Sequence, residues 1–177
     1  MRIIGGKYRG KKLISPESVG VRPTSDRARE ALFNILRSRL GSFSEYKFID
    51  VFCGTGAFAL EALSQGFAKA AAVDIDVRAI TKNAKLFPAE KEHLQIINID
   101  AAKLKGAPEY DVLFMDAPYN KNLSEPALQA VSSMLKKSAL CLIEVHKDEK
   151  LTLPAGFEQI EERRYGIAKI IIAVFAA

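Results

Sequence analysis

From residue 47 onward the hydrophobic positions of this chain switch back and forth between two periods. Phe48, Ile49, Val51 and Phe52 make a short apolar run over Lys47–Phe52, which predicts a strand buried on both faces. A helical pattern over Ala57–Gln65 follows and stops at Gly66. The pair then repeats. Strand Lys69–Asp74 leads to a helix over Val77–Leu86 that ends before Pro88, and strand Leu94–Ile97 leads to a short helix or turn after Asp100. Strand Asp111–Met115 is followed by a helix over Ser124–Lys137, with Pro126 acceptable in its first turn, and then by strand Leu140–Val145. At the end the pattern changes: Phe157–Tyr165 and Ile167–Phe175 are consecutive strands around Gly166, a closing hairpin.

Apolar strands separated by amphipathic helices predict an α/β, Rossmann-like domain whose mostly parallel sheet is covered on both faces. Right-handed crossovers set the ends of the first and fourth strands side by side, where the winding direction reverses and ligands bind. Gly54–Gly56 and Asp116–Tyr119 should therefore face each other across a crevice. Upstream, residues 2–14 read as a small hairpin and Ser15–Gly20 as a loop. Arg22-Pro23 then enforces an extended approach, and Thr24 or Ser25 can cap a helix carrying Ala28, Ala31, Leu32, Ile35, Leu36 and Leu40 up to Gly41. The chain divides into a basic arm, residues 1–20, and one domain, residues 21–177.

Composition narrows the class. With 177 residues, 49% of them hydrophobic, the chain can bury one core. No apolar run approaches the roughly 18–20 residues of a membrane span, and Met-Arg-Ile-Ile-Gly-Gly is too short an apolar start for a signal peptide. Cys53 and Cys141 suggest neither a metal pair nor a disulfide framework, and His93 and His146 lack motif context. A cytoplasmic monomer with no metal and no membrane partner is expected. The net charge is +5, and it is concentrated: residues 1–29 carry Arg2, Lys7, Arg9, Lys11, Lys12, Arg22, Arg27 and Arg29 against only Glu17 and Asp26. A near-neutral body with a basic arm points to a polyanion such as nucleic acid, and a solvated basic face is the plainer alternative. Tyr8 could stack on a base or simply pack the arm onto the body. Arg22, Arg27 and Arg29 lie where cations disfavour a helix start, which suggests an anionic partner or pairing with Asp26 and Glu30.

The candidate chemistry begins at Asp50-Val-Phe-Cys-Gly54-Thr-Gly56. A buried strand stops there at two glycines and restarts as a helix whose first N–H groups point at the same spot, the form of a cofactor cradle. Gly54-Thr-Gly56-Ala-Phe-Ala59 also fits a dinucleotide fingerprint, with Asp74 as the ribose acid. Two features argue against a nicotinamide cofactor. Asp50 lies inside the strand, where an acid suits the charged amino-acid end of a smaller nucleoside cofactor, and there is no second domain to hold a hydride acceptor.

The Asp-x-Phe-x-Gly-x-Gly loop, the acid ending the second strand and Asp116-Ala-Pro-Tyr119 together resemble a class I S-adenosylmethionine-dependent methyltransferase. That fold has seven strands and a reversed hairpin at its end. Arg2-Ile-Ile-Gly-Gly-Lys-Tyr-Arg-Gly-Lys-Lys-Leu and Arg22-Pro-Thr-Ser-Asp-Arg-Ala-Arg-Glu-Ala-Leu-Phe-Asn-Ile-Leu extend the match over essentially the whole chain. They resemble the bacterial 16S rRNA guanine-N2 methyltransferase family. The resemblance implies S-adenosylmethionine as cofactor and the small ribosomal subunit as partner. It sets Asp50 near the methionine ammonium, Cys53, Gly54 and Gly56 along the cofactor, Asp74 on the ribose hydroxyls, Ile75 on the adenine and Asp100 at the adenine amino group. Asp116 and the carbonyl of Ala117 would accept from the target amino group, with Pro118 shaping the turn and Tyr119 stacking on the base. Arg2, Lys7, Arg9, Lys11, Lys12 and Arg22 would dock phosphates. The usual Asp-Pro-Pro signature has alanine at position 117 here, which keeps the carbonyl and loses only rigidity. An adenine amino-methyltransferase and a non-catalytic RNA-binding assembly factor are the other readings.

Overall fold

Strands β1 (Lys47–Val51), β2 (Lys69–Asp74), β3 (Leu94–Asn98), β4 (Tyr110–Asp116) and β5 (Leu135–His146) pair in parallel. Strand β7 (Ala168–Phe175) runs antiparallel between β5 and β6 (Phe157–Tyr165), giving one sheet of order β3-β2-β1-β4-β5-β7-β6. The structure, a computed structural model, describes residues 1–15 and 26–177. Arg22, the Thr24 or Ser25 cap and most of the expected loop lie outside the described residues. The seven-stranded class I architecture expected from the sequence is present, and β1 and β4 are neighbours at the reversal of winding.

Side-chain alternation along the strands divides the core in two. Phe48, Ala70, Ala72, Val112 and Phe114 face α1 (Asp26–Leu40) and α2 (Ala57–Gln65). Ile49, Val51, Ala71, Val73, Leu113 and Met115 face α4 (Ser124–Val131) and the 3-10 turn Ala101–Lys103. Helix α3 (Arg78–Ala84) adds Ile80 to the first cluster. Helix α2 is buried nearly all round, with Leu60 and Leu63 each 1% exposed. Each such leucine contributes roughly 1.5–3 kcal/mol.

Helix α2 is so enclosed because the N-terminal arm lies over it. The expected hairpin is narrow: Arg2 and Lys12 bridge antiparallel, and Ile3 N–H donates to Lys11 O at 2.9 Å and Leu13 N–H to Met1 O at 3.0 Å, around a 3-10 turn at Gly6–Tyr8. Ile3 and Leu13 enter the core. Glu61 of α2, fully buried, accepts from the backbone N–H of Ile4 and of Gly5, both at 2.8 Å. Ser64 accepts from Tyr8 N–H and donates to Gly5 O. Asn83 accepts from Ile14 N–H and donates to the carbonyls of Ile14 and Thr55, so it ties the arm to the glycine loop.

One expected element is corrected. The helix over Ser124–Lys137 ends at Val131, a 3-10 turn spans Ser132–Met134, and residues from Leu135 onward already belong to β5. Leu135 pairs with Tyr110 and Leu140 with Val112, so the intervening residues bulge, with Ser138 at φ +68°. The bulge carries Lys136 to Asp111 at 3.0 Å. Apolar spacing that continues a helical period here serves the start of an interior strand instead.

Candidate active site

The crevice at the reversal point is built from the carboxyl ends of β1, β2 and β4. Phe52, leaving β1, is held at φ +64°, an outlier for a bulky residue and the kind of strain that collects at functional sites. Cys53 N–H donates to Val73 O at 3.0 Å, and Gly56 N–H donates to Cys53 O at 2.7 Å. Cys53 therefore serves the loop through its backbone, and burial pushes its thiol pKa up, away from reactivity. The two glycines have different reasons. Gly56 (φ +74°) packs so closely on α3 that a Cβ would collide with Ile80. Gly54 (φ +52°) faces open space, where a Cβ would meet nothing within 4 Å.

Across that open face stands Asp74. One carboxyl oxygen accepts from Gly54 N–H at 2.9 Å and the other from Asp76 N–H at 3.0 Å. Each oxygen keeps a lone pair for a further donor. Ile75, beside it, is 73% exposed, an apolar surface left bare at the lip of the crevice. Asn98 at the end of β3 donates to the carbonyls of Asp74 and Ile75, fixing both, and sequence reasoning missed it. Its signal was a polar residue closing a strand beside the acid-bearing turn. Asp100 accepts from Ala102 N–H and starts the 3-10 turn. Asp76 accepts from Arg78 N–H and pairs with its guanidinium, which holds its carboxyl low, at about 2. An open glycine face, two adjacent acceptors and a bare isoleucine suit an adenosine: close approach, a ribose diol and an apolar ring in turn.

Asp50 sits beneath this loop. It is 1% exposed, and its carboxyl accepts from Ala59 N–H at 3.1 Å. Burial, reinforced by the fields of Asp116 and Asp74, raises its pKa to about 8 against the opposing Ala59 bond.

On the far wall β4 delivers Asp116, and Ala117, 3% exposed, continues the chain with its carbonyl intact. Pro118 is exposed and Tyr119 half-buried. The Tyr119 hydroxyl donates to Glu144 of β5 at 2.7 Å, and its ring meets His146 edge-on at 5.6 Å. Neither Glu144 nor His146 stands in a motif that marks it in the sequence. Only the strand register, which sets Glu144 beside Asp116, reveals the pairing.

The arm cations divide. Lys7 pairs with buried Glu90 at 2.6 Å, Arg2 with Asp26 at 3.4 Å, and Lys11 donates to Leu86 O and lies over Phe87. Arg9 and Lys12 are exposed and form no ion pair among the described residues. Tyr8 packs edge-on against Phe87 at 5.1 Å and donates to Glu90, so of its two readings the packing one holds. Arg29, 1% exposed, is answered inside the chain by Asp26 and Glu61.

The strand order, the reversed terminal strands and the glycine loop at the β1–β4 crevice define a class I methyltransferase fold. A protein-family model described as Conserved hypothetical protein 95 matches residues 1–174, and the chain belongs to that family. It is 34% identical over 176 residues to Ribosomal RNA small subunit methyltransferase D of Haemophilus influenzae, covering 94% of this chain and 90% of the relative. The protein of the same name from Escherichia coli K12 is 34% identical over 174 residues, covering 94% of this chain and 85% of the relative. The solved structure of Escherichia coli yhhF superposes with a TM-score of 0.84 at 30% identity, covering 100% of this chain and 98% of that one.

Proposed function

We propose that this chain is an S-adenosylmethionine-dependent rRNA methyltransferase whose target is the N2 amino group of a guanine in 16S rRNA. The observation that carries the reading is the crevice itself. An open face at Gly54, the Asp74 acceptors and the bare Ile75 stand with the Asp116-Ala117-Pro118-Tyr119 turn at the β1–β4 boundary. The names of the H. influenzae and E. coli relatives support rRNA of the small subunit as substrate.

S-adenosylmethionine supplies an electrophilic methyl group on a sulfonium. Asp74 would accept from the ribose hydroxyls, Ile75 would cover the adenine, and Asp100 would accept from its amino group. Gly54 would admit the cofactor to the loop backbone beside Cys53, with Gly56 locking that loop to α3. Asp50, protonated in the free fold, would stand below the ammonium end, whose positive charge would draw its raised pKa back down and favour the carboxylate once the cofactor binds. An exocyclic amino group is a poor nucleophile because its lone pair is delocalised into the ring. Asp116 and the Ala117 carbonyl, by accepting hydrogen bonds from its two N–H groups, would localise that pair and aim it, while Tyr119 stacks on a base taken out of its helix or loop. Alanine at 117 serves because the working group is a carbonyl. Arg9 and Lys12, with the exposed parts of Arg2, Lys7 and Lys11, and with Arg22, would dock phosphates.

The test is to incubate the protein with labelled cofactor and unmethylated small subunits, then digest the RNA and identify the labelled nucleoside. N2-methylguanosine is expected. Label on adenine would replace the guanine reading by the adenine one, and no label would leave an assembly factor.

A further inference from the structure

Glu144 has no part in the chemistry described so far, yet it is built into the far wall of the crevice. It is 5% exposed at the end of β5, next to Asp116 in the β4–β5 register. Burying a carboxyl is costly unless a donor meets it, and the Tyr119 hydroxyl is such a donor at 2.7 Å. The chain leaves β4 through Ala117 and Pro118, and Tyr119 folds back over the neighbouring strand to reach it. A second contact holds the same ring: His146, two residues beyond Glu144, meets its edge at 5.6 Å and 65°. His146 is itself steadied by Asp148, whose N–H donates to its Nδ1 at 3.3 Å.

We propose that Glu144 is a positioning residue that fixes the plane of the Tyr119 ring before a base arrives. A free tyrosine rotates about two side-chain bonds, and a stacking platform needs one orientation. Anchoring the hydroxyl at one end and the ring edge at His146 removes those rotations while leaving the ring half-buried. Burial and the Glu144 contact push the Tyr119 phenol well above its ordinary range, so it remains the donor of this bond at any working pH. The inference deepens the proposed function and rests on Tyr119 meeting the target base.

The test is a double-mutant cycle on methyl transfer at saturating cofactor and RNA, with S-adenosylhomocysteine affinity and thermal midpoint read on each variant. Loss of ring placement is expected to lower kcat by about 10- to 100-fold in Glu144→Ala and by a similar factor in Tyr119→Phe, with cofactor affinity within about twofold of wild type. Because both variants remove the Tyr119–Glu144 contact, Glu144→Ala/Tyr119→Phe should be no slower than the slower single variant. Glu144→Gln, whose amide oxygen still accepts the phenol O–H, should restore most of the rate. Multiplying losses in the double variant, or a Glu144→Gln rate as low as that of Glu144→Ala, would overturn the positioning role. If Glu144→Ala does not fold, a slow Tyr119→Phe beside a fast Glu144→Gln supports the role, and any other pairing overturns it. A wild-type protein that transfers no methyl group would instead remove the proposed function and this inference with it.

Discussion

Gly54 and Gly56 look alike in sequence and do different things, and substitution separates them. Gly56→Ala must push Ile80 aside and also strain a left-handed backbone. A loss of about 2–4 kcal/mol is expected in denaturant unfolding. Gly54→Ala carries only the backbone term, about 1–2 kcal/mol, but its methyl projects into the open face, so cofactor affinity should fall much more than stability. Equal stability losses would mean that the Ile80 contact does not matter. Asp50 allows a pH prediction. Its ordinary value of 3.8 is raised to about 8 in the fold, so between those values the unfolded chain has released a proton that the folded chain keeps. Its contribution to stability is full below about pH 4 and lost as pH rises through about 8. Asp50→Asn keeps an acceptor for Ala59 and should flatten stability against pH across that window. An unchanged slope would show that Asp50 is ionised in the fold.

The arm and α2 form one unit, because Glu61 holds the Ile4 and Gly5 N–H groups and stands beside buried Arg29. Glu61→Ala leaves that guanidinium with less compensation and should cost about 3–5 kcal/mol in unfolding. Where the variant still folds, RNA affinity should drop while S-adenosylhomocysteine binding stays near wild type. Retained RNA binding would show that the arm does not need this anchor. This unit was barely legible in the sequence. Glu61 and Ser64 lie in an otherwise apolar helix pattern, and nothing in their spacing says that a distant arm satisfies them. Of the two readings of Arg29, an external anion or pairing with Asp26 and Glu30, the Asp26 pair is present, while its other partner, Glu61, lies 32 residues away and carries no local signal. By contrast, β1 through β4 were legible because strands buried on both faces leave apolar runs that few other elements produce. The helix expected after β4 overruns because Met134 and Leu135 keep the helical spacing from Val131 while lying in a 3-10 turn and at the start of β5.

Across the whole molecule, topology explains why the site could be anticipated. Once β1 and β4 are neighbours at the winding reversal, Gly54 and Asp116 must share a crevice, although 62 residues separate them. Side-chain partners such as Tyr119–Glu144 and Asn98 with the Asp74–Ile75 backbone needed the register and could not be read from periodicity. Charge is also a whole-molecule property, since the basic excess lies in the first 29 residues. Reversing Arg9 and Lys12 together should weaken RNA binding and lower its salt dependence by roughly one unit of log–log slope per lost phosphate contact. Cofactor affinity should not change. An unaltered RNA affinity would make the arm a solvated face. The most direct measurement compares wild type with Asp116→Ala for methyl transfer to unmethylated small subunits and for S-adenosylhomocysteine affinity on the same preparations. Transfer to guanine N2 by wild type, its loss in Asp116→Ala and nearly equal cofactor affinities are expected. Wild-type-like turnover in Asp116→Ala would contradict the crevice as the place where the amino group is aimed.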